Sequence, residues 1–247
     1  MRPGPKSPGV KSGTHLLQWN SPMPLQTQRA HFDPKVGDSW HAIQRTAHLS
    51  IGQDAIRALD MNFQLVPRRI PDGHGGYAIV WVAMSMHWAK PGKNGYDRFV
   101  GADGQIHMMT RRQRRMTAQE WGYDGVMTWR RATGERPLTY EEAIAYAAEH
   151  GVVITAELKS PRFARAQATL EAMVTACKAV GHPAWFMALI TMKDARGKCA
   201  AVIAAGGQFA LIFGRFRWTR KPKDWAAWKP KPTRMWGPRR TRRWLAA

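Results

Sequence analysis

From Thr139 to Phe213 the hydrophobic period switches repeatedly between 3.6 and two, and this alternation constrains the fold more than any other feature. The run TYEE is a capping box, Thr139 with Glu142, opening a helix that ends at Gly151. Val152 to Leu158 (VVITAEL) reads as a β-branched strand. Ser160 and Pro161 then serve as cap and first-turn residue of a long helix. Its Phe163, Leu170, Met173, Val174 and Cys177 share a face, and Gly181 stops it. Trp185 to Ile190, Asp194 to Ala205 and Gln208 to Phe213 repeat strand, helix, strand. Strands joined by helical crossovers make a parallel sheet, so at 247 residues an α/β fold of the (β/α) TIM-barrel type is the leading architecture. A doubly wound sheet is the alternative, although no glycine-rich fingerprint follows a first strand. About six strands can be counted, fewer than the eight of a full barrel.

The first half is patterned less evenly. Ser39 caps a helix with Trp40, Ile43 and Ala47 on one face, ending near Gly52. Ala58 to Leu65 (ALDMNFQL) alternates as a strand does, and PDGHGG supplies a turn. Tyr77 to Met86 is almost wholly apolar, the pattern of a strand buried on both faces. Residues 88 to 137 lack sustained periodicity and read as a long excursion with one short helix near Thr117 to Trp121.

Charge divides the chain differently. There are 38 Lys and Arg against 17 Asp and Glu, a formal net charge of +21, which draws the protein toward something acidic. The last 33 residues hold 12 Lys or Arg, one acid (Asp224) and five tryptophans. We therefore divide the chain into a basic leader (1–28), a globular body (29–214) and a basic, Trp-rich tail (215–247). Cations interleaved with indoles suit a nucleic acid or another anionic surface; the alternative is a tail packed on the body by its tryptophans. RRQRR, Arg111 to Arg115, suits either a phosphate grip or a solvated face. Two cysteines, Cys177 and Cys199, make no disulfide framework. With no apolar run long enough to span a bilayer and no secretory leader, the expectation is a cytoplasmic protein.

In parallel α/β folds ligands meet the C-terminal ends of strands. Asp60 with Asn62, and Glu157 with Lys159, are each two apart and so share a side of their strand. Asp60, Asn62 and Glu157 offer three oxygen donors, which suits a hard divalent cation, Mg²⁺ or Ca²⁺. Lys159 suits a phosphate bound beside it. An ordinary Glu157–Lys159 ion pair is the plainer reading of the same residues.

The segment RPLTYEEAIAYAAEHGVVITAELKS resembles the glycerophosphodiester phosphodiesterase family, in which a similar helix leads into a strand closing on Glu-Leu-Lys. DAIRALDMNFQLVPRRIPDGHGG is similar to that family's earlier Glu-x-Asp strand with its Asp-Gly turn, and RAHFD stands where the family has His-Arg-Gly. The resemblance runs from about residue 29 to 214. It implies a (β/α) barrel, Asp60 and Glu157 as metal ligands with Asn62 in place of a carboxylate, and Lys159 as the phosphate-neutralising group. It also implies His31 as one of two acid–base histidines. The closest alignment puts Val82 and Ala83 on the second histidine motif, and a shifted register brings in His87. The reaction implied is metal-dependent cleavage of a glycerophosphodiester into an alcohol and glycerol phosphate. A catalytically impaired barrel that binds nucleic acid or an anionic surface through residues 215–247 is the other function class.

Overall fold

A computed structural model describes residues 25–29, 37–48, 56–189, 194–213 and 234–236. The first elements are β1 (Leu25–Arg29), α1 (Trp40–Ala47), β2 (Ile56–Pro71) and β3 (Tyr77–Ser85). A second group follows: α2 (Pro91–Asn94), β4 (Tyr96–Val100), β5 (Ile106–Met108), α3 (Ala118–Thr128) and β6 (Trp129–Arg131). The remainder is α4 (Tyr140–Glu149), β7 (Val153–Leu158), α5 (Gln167–Ala179), β8 (Trp185–Leu189), α6 (Ala195–Ala204), β9 (Gln208–Phe213) and β10 (Arg234–Trp236).

The main sheet runs β1-β2-β7-β8-β9-β10, with the first five of these strands parallel and β10 antiparallel on β9. The fold is mixed α/β around a parallel sheet. Among the described residues β1 and β10 end the sheet and no pairing joins them, so the barrel is not closed there. Strands come from stretches assigned to the leader (β1) and the tail (β10). The tail thus does contribute a strand, where no strand pattern was legible. Three residues, Arg234, Met235 and Trp236, are too few to show alternation, and their pairing with Leu211 to Phe213 is a tertiary contact.

One face of the sheet is apolar. Leu59, Met61, Phe63 and Leu65 of β2, Ile154, Ala156 and Leu158 of β7, Phe186 and Ala188 of β8, and Phe209 of β9 form a single buried cluster. Ile43 of α1, Ile144 of α4, Met173 of α5 and Val202 of α6 belong to it, so these helices cover that face. The Thr139–Glu142 capping box that opens α4 is formed reciprocally. The expected long helix after Ser160 is in two pieces: a 3-10 turn over Pro161–Arg165, then α5 beyond a break at Ala166. Phe163 still reaches the core from the turn.

Two expectations need correction. The first strand does not end at Leu65: β2 extends to Pro71 and pairs antiparallel with β3 from Phe63 onward, making a hairpin. β3 is not buried throughout: Tyr77 is 68% exposed and Ile79 58%, and burial begins only at Ala83. The outer half of a two-stranded ribbon leaves the sheet, so its apolar side chains have nothing to pack against. Residues 88–137 are likewise ordered. β5-β4-β6 form a separate antiparallel sheet, and Met84, Met86, Tyr96, Val126 and Trp129 bury together as a second core. α3 opens on a capping box of Thr117 with Glu120 and is broken at Gly122, whose φ is +68°.

Candidate functional site

The opposite face of the sheet is polar and yet buried. Asp60 and Asn62 alternate with the apolar residues of β2, Thr155 and Glu157 with those of β7, and all four are 3% exposed or less. In the register Asn62 faces Glu157 and Asp60 faces Thr155. Paired residues on neighbouring strands lie about 4.8 Å apart and share a face. Asp60, Asn62 and Glu157 are therefore brought together on one face of the parallel β2–β7 pair.

Lys159 follows at the strand end, where its backbone N–H donates to the Phe63 carbonyl (3.0 Å) and so continues the pairing. Its ammonium donates to Glu157 Oε1 at 2.6 Å. The ion pair that sequence offered as the plainer reading is thus present, at this mouth of the sheet. His87 lies within electrostatic reach of Lys159. Burial, and secondarily the Lys159 charge, lowers its pKa to about 4, so the ring is neutral at pH 7. Its backbone carbonyl accepts from Gln64 Nε2 (3.1 Å), tying it to β2. His31 lies outside the described residues, as does the tail apart from β10.

Three charged residues at this mouth were not legible as site residues. Asp38, just before α1, accepts from the Asn62 backbone N–H (2.9 Å) and from Asn62 Nδ2 (3.0 Å). Burial raises its pKa to about 6, against the Asn62 hydrogen bonds and the Arg131 and Lys159 charges, which lower it. Arg131 of β6 packs beside Gly37, where φ is +56° and a Cβ would run into the guanidinium. Lys198 of α6 is fully buried and donates to the Leu158 carbonyl at 2.7 Å. Burial lowers its pKa to about 8, and it senses Glu157 and Lys159. Only the packing of separate segments on the strand ends gathers these residues.

The oxygen donors of Asp60, Asn62 and Glu157 match a hard cation in type. Among the described residues no three His, Cys, Asp or Glu side chains assemble as a metal cage, so the Asn62 amide would have to complete the set. The mouth also offers ammonium groups for an anion and a neutral imidazole for a proton. No helix among the described residues is long and apolar enough to cross a membrane.

No protein-family profile and no curated protein matches the chain. Among solved structures it is similar to a glycerophosphodiester phosphodiesterase from Parabacteroides distasonis ATCC 8503, with 12% identity and a TM-score of 0.41. That likeness covers 80% of this chain, which spans 62% of the Parabacteroides protein. It is also similar to a protein of Agrobacterium tumefaciens C58 assigned as a glycerophosphoryl diester phosphodiesterase. There the identity is 13% and the TM-score 0.30, over 76% of this chain and 84% of that one. Both likenesses are distant.

Proposed function

We propose that the sheet is the wall of a (β/α)-type barrel and that the mouth at β2 and β7 binds and hydrolyses a phosphodiester of the glycerophosphodiester class. The observation that supports this most is the Glu157–Lys159 pair, at 2.6 Å, beside the buried donors Asp60 and Asn62. Lys159 neutralises the phosphoryl group. Asp60, Asn62 and Glu157 would hold Mg²⁺ or Ca²⁺, which supplies Lewis-acid stabilisation of phosphoryl charge. His87, neutral at pH 7, holds or accepts a proton, and His31 is its counterpart. Asp38 fixes the Asn62 amide and so orients its carbonyl oxygen. Release of glycerol phosphate from a glycerophosphodiester, assayed with Mg²⁺ and with Ca²⁺, tests the reading. Turnover should fall at least about 100-fold in Glu157→Gln, in line with the loss of an electrostatic group from a reacting site. No turnover by the unaltered chain with either metal would refute it.

A further inference from the structure

The excursion between β3 and α4 forms an open surface cavity of about 440 Å³ lined by Lys90, Gly92, Lys93, Arg111, Arg114 and Arg115. Five of these are cationic and none is acidic. They do not form one run along the chain: two flank the start of α2, and three belong to the turn before α3. One backbone hydrogen bond, from Ala118 to Ala89, joins the two segments, and two further hydrogen bonds brace each of them from within. Ala118 N–H donates to the Ala89 carbonyl (2.6 Å), Asn94 Nδ2 to the Lys90 carbonyl (3.0 Å), and Arg114 N–H to the Thr110 carbonyl (3.0 Å). Gly92 allows the close approach, since a Cβ there would stand 3.1 Å from the Arg114 carbonyl oxygen.

Among the described residues no carboxylate pairs with any of the five cations. The Glu120 carboxylate senses Lys90, but it is bound into the Thr117 cap. Like charges held around one concavity repel each other until an anion enters, and a phosphate-bearing chain supplies anions at regular spacing. Beside the cavity stands Trp88, 51% exposed, with the Lys93 ammonium 5.2 Å from its ring centroid. An exposed indole next to phosphate-gripping cations is the combination with which proteins hold unstacked bases.

The geometry points to a second site, adjoining the β2–β7 mouth where the Trp88 ring stands edge-on to His87 at 4.8 Å, at which these five cations take the backbone of a single-stranded nucleic acid and Trp88 stacks on a base. It stands or falls independently of the phosphodiesterase reading.

Fluorescence anisotropy of a labelled oligothymidylate of about 20 nucleotides, titrated with the full chain over a salt series, tests it. The basic tail stays in every protein, so differences belong to the cavity. Replacing Arg111, Arg114 and Arg115 together by Ala should weaken binding at least tenfold near 0.1 M salt. It should also flatten the log–log salt slope by about 2, at roughly 0.7 per phosphate contact on a single strand. The triple Arg→Lys variant should keep the slope, and Trp88→Leu should weaken binding while leaving the slope alone. All these side chains are exposed, and circular dichroism checks that each variant is folded. An Ala variant that binds the oligonucleotide with unchanged affinity and slope would overturn the proposal. So would one that loses inorganic tripolyphosphate but keeps the oligonucleotide, which would make the cavity a small-polyanion site.

Discussion

Asn62 donates both its backbone N–H and its side-chain amide to the carboxylate of Asp38, across 24 residues of sequence and in a fully buried setting. The pair fixes the entry to α1 against the middle of β2. Asn62→Ala would leave a buried carboxylate with only its backbone donor from β2. The expected loss is about 2–4 kcal/mol of folding stability, the range for breaking a buried hydrogen bond to a charged group. Urea unfolding at pH 7.5 measures it; a loss within about 0.5 kcal/mol, as at an ordinary surface site, would mean that the pair is not holding the two elements together.

The same burial gives Asp38 a pH signature. In the folded chain its pKa is about 6, against 3.8 as the ordinary value. An acid whose folded pKa is raised contributes stability that is fully present below the unfolded value and is lost as pH climbs through the folded one. The gap between the two values corresponds to roughly 3 kcal/mol. Asp38→Asn cannot ionise. Its stability relative to the unaltered chain should therefore rise by roughly that amount between pH 4 and 7.5, measured by denaturant unfolding. A difference that stays constant with pH would show that Asp38 is not held in its protonated form by burial.

Lys198 separates packing from charge. Its stem fills space in α6 and its ammonium serves the Leu158 carbonyl at 2.7 Å. Lys198→Ala opens a cavity and orphans the carbonyl, which should cost about 2–5 kcal/mol. Lys198→Met keeps most of the volume and removes a buried cation, so it should be the more stable variant by at least about 1 kcal/mol. Thermal denaturation of the two side by side decides it, and equal melting temperatures would contradict the account.

How much of this was legible depended on whether the cue was local. The Thr139–Glu142 box, the β7 strand, and the two-residue spacings Asp60–Asn62 and Glu157–Lys159 follow from side-chain periodicity and cap chemistry, and all are present as read. Missed were features that depend on distant partners. The second core draws Tyr96 and Trp129 from strands no longer than five residues, below the length at which alternation can be recognised. The burial of β3 was misread because a wholly apolar strand looks the same whether its faces are covered or exposed. Asp38, Arg131 and Lys198 reach the mouth from three separate elements, and nothing in their immediate neighbours marks them.

A bound cation should be visible in stability before it is visible in chemistry. If Asp60, Asn62 and Glu157 hold Mg²⁺ or Ca²⁺, millimolar metal should raise the melting temperature of the unaltered chain, because a ligand that binds only the folded form stabilises it. Glu157→Gln should abolish the rise. Identical metal responses in the two proteins would remove Glu157 from the cation site.

The central claim is that Lys159 meets the phosphoryl group of a phosphodiester. Phosphorus NMR can follow a glycerophosphodiester resonance as it is converted to glycerol phosphate by the unaltered chain, by Lys159→Ala and by Lys159→Arg. The account predicts conversion by the unaltered chain, a rate at least about 100-fold lower in Lys159→Ala, and partial recovery in Lys159→Arg, which restores the charge with different geometry. Conversion by Lys159→Ala at the rate of the unaltered chain would contradict it.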